Sequence, residues 1–341
     1  MTLASSAIAP DPQPSPQVGG PRTGVRSHVW ARFAVRRSWR LLVSLWVLVT
    51  ASFLMIHLIP GDPVRSALGP TAPADLVAAR LESLGLNDPI WQQYLDYLHG
   101  LFTGDLGTSL VSQLPVADVI AQRLPATLSL ALLAFLTAVL IAVPLGVTMG
   151  VLTRRGHGRR TELAFTTTSV VLGTIPDFLL GVGLVYVFGV SLGWLPVAGN
   201  DSPDAYVLPV LALSVGTAAI LARIIRVEMV AVIEADFVRT ARAKRLPART
   251  VYLGHALPNA LTASLTLGGL ILGALVAGTV LVENVFAWPG LGSTIAASIL
   301  NKDYPLVQAI VLMYGIGVLL VNTGVDVALA VLDLRSMIRE D

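Results

Sequence analysis

EADFVRTARAKRLPARTVYLGHALPNAL, residues Glu234–Leu261, is a short Arg-rich stretch set between two long apolar runs and closing on Leu257-Pro258-Asn259-Ala260-Leu261. Asp236 is a suitable N-cap for a helix here. Pro247 disfavours helical geometry at Leu246 and so predicts where that helix ends. At about 100° of turn per residue, Arg239, Arg242 and Arg245 fall on one edge, while Ile233, Phe237 and Ala241 recur along another. The result is a helix with one greasy edge and one basic edge. Basicity alone suits a solvated or lipid-headgroup-facing helix as readily as a docking surface.

The flanks show what kind of chain carries this stretch. Of 341 residues, 54% are hydrophobic and 13% charged, and mean hydropathy is +0.73. Soluble domains carry roughly 25% charged residues, so the composition predicts an all-α polytopic membrane protein. A run of about 20 apolar residues spans a bilayer. Six such runs occur, at 41–59, 127–152, 163–192, 205–222, 261–281 and 306–332. With the N-terminus in the cytoplasm, 19 of the 23 Lys and Arg fall in cytoplasmic segments, leaving only Arg65, Arg80, Arg123 and Lys302 opposite. That asymmetry predicts six transmembrane helices with both termini cytoplasmic. Residues 1–30, rich in Pro, Ser and Gly, read as a disordered cytoplasmic tail. Arg32, Arg36, Arg37 and Arg40 before the first run imitate the start of a signal peptide. The run exits through Pro60-Gly61-Asp62-Pro63 rather than a small-residue cleavage site, so it reads as a retained helix.

Between Pro60 and Arg123 the extracytoplasmic loop has helical signals of its own. Asp88 can cap a helix opened by Pro89, Trp91, Tyr94, Leu95 and Leu98 recur at helical spacing, and Gly100 offers a stop. The loop is thus expected to fold against the membrane portion, as a docking surface or as a cap. Pro144 and Pro176 fall inside apolar runs and predict kinks. Gly269 and Gly273 form a GxxxG pair that permits close helix approach.

Several chemistries are missing. With no Cys there are no disulfides or thiolate metal sites, and His28, His57, His99, His157 and His255 lack metal-ligand spacing. Neither Lys244 nor Lys302 sits in a phosphate-binding Gly-rich loop. No catalytic constellation, cofactor or nucleic-acid partner is expected, and ATP-driven work would need another polypeptide.

The Arg-rich stretch resembles the ATPase-coupling loop of ABC importer permeases, an EAA triplet, three residues, Gly, nine residues and Ile-x-Leu-Pro. Arg239, Thr240 and Ala241 hold the EAA positions, Arg245 stands in the Gly position, and His255, Leu257 and Pro258 follow in register. Further segments are similar to the dipeptide/oligopeptide/nickel group of that family. They include Pro60–Pro63, Gly104-Asp105-Leu106-Gly107-Thr108-Ser109, Arg123-Leu124-Pro125-Ala126-Thr127 and Leu192-Gly193-Trp194-Leu195-Pro196-Val197-Ala198-Gly199. Others are Val238–Lys244, Glu283-Asn284-Val285-Phe286-Ala287-Trp288-Pro289-Gly290-Leu291-Gly292 and Asp303-Tyr304-Pro305. Two positions depart from the pattern: Arg245, and Leu334 in place of the Pro of Asp-Pro-Arg. Gly supplies a left-handed helix cap that Arg resists. Arg245 would therefore stay helical and add a contact to an acidic ATPase surface, or coupling would be weakened.

The resemblance implies the type I ABC importer permease fold, with a permease core at 125–335 and the coupling loop at 226–258. The first helix and extracytoplasmic loop occupy 31–124, and a cytoplasmic tail 336–341. It implies ATPase coupling through Asp236, Arg239, Thr240, Ala241, Arg242, Lys244, Arg245, Leu257 and Pro258. Implied partners are a second homologous permease, two ABC ATPase domains, an extracytoplasmic solute-binding protein and the lipid bilayer of a prokaryotic cytoplasmic membrane. Its solutes would be di- or oligopeptides, with a nickel chelate or glycoside as the alternative. Asp177 and Asp326, carboxylates within apolar runs, and Glu283 near the end of one are candidates for the substrate path. The rival readings are a self-sufficient secondary transporter, which predicts internal repeats, and a membrane scaffold recruiting soluble partners. The first leaves the coupling-loop register unexplained.

Overall fold

The computed structural model describes residues 23–58, 65, 69, 71–83, 85, 87–154 and 158–332. The tail at 1–22, the Pro60–Pro63 exit, His157, Leu334 and the tail at 336–341 lie outside the described residues. Two compact units are present, Met1–Leu42 and Val43–Asp341. The boundary between them falls within the first helix, α1 (Thr23–Leu58).

The second unit continues with α2 (Ala74–Ser83), α3 (Ile90–Thr103), α4 (Val116–Leu152), α5 (Arg159–Thr174) and α6 (Asp177–Leu184), the last extended by a π-helical turn, Val185–Ser191. Then come α7 (Val207–Ile233), the short α8 (Asp236–Ala243), a π-helical turn at Thr250–Ala256, α9 (Leu257–Val285), α10 (Leu291–Leu300) and α11 (Tyr304–Leu332). Among the described residues five helices are long and apolar enough to cross a membrane, and six spans result if the bent pair α5–α6 forms one. The six apolar runs therefore match the spans observed.

The prolines act differently from one another. At Pro176 the chain does not kink but breaks, with the two helices meeting at 91°. Ile175 before it is extended, φ −66° and ψ 123°, the geometry a following proline imposes. Pro176 then offers its carbonyl to the amides of Leu179 and Leu180 and starts a new helix. Pro144 and Pro125, by contrast, sit inside α4 without interrupting it. A single missing N–H within a long membrane helix is tolerated.

Helix packing follows the small residues. Ala134, Ala138, Ala142, Gly146 and Gly150 form a four-residue-spaced buried stripe on α4. A Cβ on Gly146 would lie 2.7 Å from the carbonyl of Ala222, and one on Gly150 2.7 Å from the Met229 Cβ, so α4 and α7 touch backbone to backbone. With 72% of its most apolar stretch buried, α7 is the central helix. The GxxxG pair on α9 faces α11, where Gly269 abuts Val325 and Gly273 faces Val318.

The loop helix α3 folds back on α1. Tyr94 exchanges a 2.8 Å hydroxyl hydrogen bond with Thr50, and Phe53 meets the rings of Tyr94 and Tyr97 at 5.1 and 5.8 Å. Its ends differ from expectation. Pro89 is the capping residue rather than the first helical one, and Asp88 makes no side-chain cap. The stop is Gly104, at φ 79°, not Gly100. Gly100 lies inside α3, where a side chain would run into the carbonyl of Asp105, 2.7 Å away.

Candidate functional site

The Arg-rich stretch folds as α8, set off from α7 by an extended Ala235 at φ −66° and ψ 151°. Ala235 is the capping residue, and its carbonyl accepts from the Val238 and Arg239 amides, each at 3.1 Å. Asp236 is therefore not the N-cap. It occupies the first helical position, where a negative charge complements the helix dipole, and pairs with Arg239 at 3.1 Å. Both side chains are strongly exposed, so this pair contributes little.

Val238 is fully buried and Ala241 5% exposed, both within one core cluster with Ala142 and Val147 of α4, Phe165 of α5 and Ile225, Met229 and Ile233 of α7. That face binds α8 to the body. It differs from the expected greasy edge, because Phe237 points outward at 46% exposure. The basic edge is also split. Arg239, Lys244 and Arg245 are exposed, whereas Arg242 is half-buried with its guanidinium 5.9 Å from the centroid of the Tyr252 ring. The outward surface of α8 and its exit is thus Phe237, Arg239, Thr240, Lys244 and Arg245. Leu257 packs against the same core cluster, and exposed Pro258 follows it in the first turn of α9.

The end of α8 resolves the question posed by Arg245. Its φ is 56°, so Arg245 does not stay helical. The Arg245 amide donates to the Arg242 carbonyl at 2.9 Å and the Leu246 amide to the Ala241 carbonyl at 3.4 Å. These two bonds define a Schellman cap with Arg245 in its left-handed position. The backbone there is the one a glycine would adopt, and the cap's hydrogen bonds hold Arg in it. The helix accordingly stops at Ala243, short of Leu246.

Behind α8, Arg226 of α7 pairs with Glu162 of α5 at 2.6 Å, and its Nε donates to the Thr153 hydroxyl at the end of α4 at 3.0 Å. One partly buried guanidinium therefore ties three helices together.

At the opposite end the remaining motif segments interlock. Asp303 accepts from the Ser109 hydroxyl and, at 3.0 Å, from the Leu110 amide. The Trp288 indole donates to the Ala126 carbonyl at 3.1 Å, and the Gly199 amide to the Phe286 carbonyl at 3.0 Å. Glu283 is fully buried and accepts from the Thr127 hydroxyl (2.7 Å) and the Gly292 and Ser293 amides (2.7 and 3.1 Å). Its carboxylate caps the first turn of α10. With both oxygens engaged and no surface exposed, Glu283 does not face an open passage in this conformation.

The other two carboxylates lie elsewhere. Asp177 opens α6 directly after the 91° break, half-buried. A Cβ on Gly216 of α7 or Gly278 of α9 would sit 3.4 or 3.5 Å from its carboxylate oxygens, ordinary van der Waals contact, so the carboxylate lies in a slot between α7 and α9. No hydrogen bond or ion pair reaches it among the described residues. Asp326 is half-buried within the span of α11. Gly278 lies about 7.5 Å along α9 from Glu283, and Gly269, beside Val325, about 13 Å the other way. The three acids form no common cluster.

The family model described as binding-protein-dependent transport system inner membrane component matches residues 142–337, and that for the N-terminal part of such membrane components matches residues 30–131. The chain belongs to this family. It is an ABC importer permease subunit, a multi-pass protein of the inner membrane. The permease is 38% identical over 301 residues to the glutathione transport system permease protein GsiC of Escherichia coli O6:H1, covering 88% of this chain and 97% of that one. The same figures hold for GsiC of Salmonella choleraesuis. The permease also shares its fold with a chain of the inward-facing MetNI methionine ABC transporter, at a TM-score of 0.54, 20% identity and coverage of 63% of this chain and 96% of the other.

Proposed function

We propose that this permease imports di- or oligopeptides, with α8 as the lever on which a separate ATPase acts. The carrying observation is that α8 is bound by Val238 and Ala241 into the core shared with α4 and α7, while Phe237, Arg239, Thr240 and Lys244 face outward. A helix held this way moves its neighbours when pushed. In this reading both termini and α8 are cytoplasmic, as the distribution of Lys and Arg indicates. The permease core is 125–335 and the coupling loop 226–258. A second homologous permease completes the passage, two ABC ATPase domains hydrolyse ATP, and a solute-binding protein delivers substrate from outside. Alternate packed states of the helices would expose the solute to one side and then the other.

The peptide assignment draws support from the similarity to permeases named for glutathione, itself a tripeptide. Asp177 suits the recognition of such solutes. A carboxylate at a broken span, in a slot between α7 and α9, offers a charge partner for a peptide ammonium. The test is purification of the permease in mild detergent with identification of stoichiometric partners. Recovery of a second permease and ATPase subunits, released by Arg239→Glu or Thr240→Glu on the exposed face, is the expected result. Substitution of Ala241 is unsuitable because that residue is buried. A chain that purifies alone and moves solute on an ion gradient would overturn the reading.

A further inference from the structure

Helix α3 lies on the surface of the body, with no residue of its own fully buried. Beneath it, the Ser52 hydroxyl of α1 donates to the Gln308 carbonyl of α11 at 3.0 Å, a buried bond. Tyr97 of α3 reaches this junction, its ring stacked 5.8 Å from that of Phe53. The Tyr97 hydroxyl and the Gln308 side-chain nitrogen are both shut off from water, and neither has a hydrogen-bond partner among the described residues. Burial pushes the Tyr97 hydroxyl pKa up, and Ser52 and Gln308 are the side chains that counter it, so the two unpaired groups are neighbours. A donor and an acceptor that are buried, adjacent and unbonded destabilise the position that holds them apart. Pairing them needs only a short slide of α3 toward α11. Left-handed glycines bracket α3, Gly85 before it at φ 65° and Gly104 after it at φ 79°, and open space surrounds the position of a Cβ on Gly104. Backbone at such points absorbs small rotations.

We propose that α3 is a strap with a closed position in which the Tyr97 hydroxyl bonds the Gln308 side-chain amide. In this structure the strap stands open. Tyr94 already holds α3 to Thr50 of α1, so the added bond clasps α1 to α11 through α3. Closing adds a further polar tie beside the Ser52 bond, and α1 and α11 then move together more readily. The loop helix thereby acts as a moving clasp rather than a fixed cap. The inference concerns the fold alone and holds whichever solute the permease carries.

The test is hydrogen–deuterium exchange of the full chain in detergent micelles, read by mass spectrometry. It compares wild type, Tyr97→Phe, Gln308→Leu and the double variant. From the closed position each single variant breaks the bond and strands one buried group, so α3 amides should exchange about tenfold faster. The double variant replaces both groups by apolar ones and should return to within about threefold of wild type. Exchange in α4 and α7 should not change. Thr50→Val is the control, since it loosens α3 with an effect that adds to that of Gln308→Leu instead of cancelling it. Tyr97→Phe removes a single oxygen, and Gln308→Met takes the place of Gln308→Leu if the latter fails to fold. Single variants that exchange at the wild-type rate or slower would overturn the proposal, because the two groups would then stay unbonded. The chain has no Cys, so spin labels on Asp96→Cys and Leu300→Cys, both exposed positions, report the distance from α3 to the end of α10. That distance should shift between wild type and Gln308→Leu. Coupled exchange with an unchanged distance would assign the coupling to a bridging water and would also overturn the strap.

Discussion

Replacing Glu283 separates a structural carboxylate from a substrate ligand. Its two oxygens receive the Thr127 hydroxyl and the Gly292 and Ser293 amides, the first two of these bonds buried and the third partly so. Glu283→Ala strands three donors, each costing about 1–3 kcal/mol when left unsatisfied. The contributions are not fully additive, so the expected loss is about 3–5 kcal/mol. Glu283→Gln retains a carbonyl oxygen for the two amides, but its NH2 must face the Thr127 hydroxyl oxygen, which already accepts from the Leu291 amide at 2.8 Å. Thr127 can accept a second hydrogen bond, and only its own proton loses a partner, so the loss should be about 1–2 kcal/mol. Gly292→Ala should also be damaging, because its Cβ would come within 2.5 Å of the Val280 Cα and 2.9 Å of Glu283 Oε2. The assay is the denaturant midpoint of purified protein in mixed micelles, read with the slope held constant. Full stability in Glu283→Ala, with transport alone impaired, would refute the capping argument and return Glu283 to the substrate path.

Three other substitutions test separate parts of the argument. Arg245→Gly should be neutral or stabilising by up to about 1 kcal/mol, since relief of left-handed strain is partly offset by unfolded-chain entropy, whereas Arg245→Val should destabilise; unfolding midpoints decide. Asp177→Asn should reduce uptake of peptides with a free amine by about tenfold or more, leave ATPase association intact and spare solutes lacking an ammonium; equal loss for both solute classes would assign Asp177 a packing role. Gly269→Leu should force α9 from α11 at Val325 and destabilise by several kcal/mol, about as overpacking does elsewhere, seen as loss of the monodisperse fraction after mild heating.

Hydropathy made the spans legible because bilayer thickness imposes a length that few soluble helices meet. The resemblance of the Arg-rich segment to a coupling loop rests on its register, which survives the replacement at Arg245. What sequence could not supply was the partner of each side chain. In α8, eight residues long, periodicity does not decide whether Phe237 or Val238 turns inward. The packing of α7 and α4 decides it, and Val238 is the residue that fits. An acid near the membrane suggests a path, yet Glu283 finds its donors in Thr127 and in a turn built from Gly290, Gly292 and Ser293. A signal was present there, since two glycines shortly after an apolar-run Glu leave room for its carboxylate. Gly146 and Gly150 carried a similar unread signal, a second four-residue glycine spacing on the helix that meets α7. No local pattern linked Arg154 to Tyr252, because that contact exists only once the end of α4 and the segment after α8 are packed.

Under the proposed function, the geometry also fixes what a push on α8 can reach. Val238 and Ala241 sit in the same cluster as Ile225, Met229 and Ile233 of α7, so α8 cannot shift alone without opening a cavity beneath two buried side chains. Leucine-to-alanine cavities of that kind cost about 3–5 kcal/mol, which makes joint movement of α8 and α7 the easier course. Continuous from Val207 to Ile233, α7 holds Gly216, beside Asp177, about 25 Å from its coupling end. A tilt of that one rigid element therefore changes the slot around Asp177, because the opposite wall, Gly278, belongs to α9. Arg226 sets the resistance to such a tilt. Its contacts to Glu162 and Thr153 bind α7 to α5 and α4 at the coupling end, and they must travel with α7 or be exchanged for water. The coupling helix and the charged slot thus share α7 as a physical link, with no need for a chain of intermediate contacts between them.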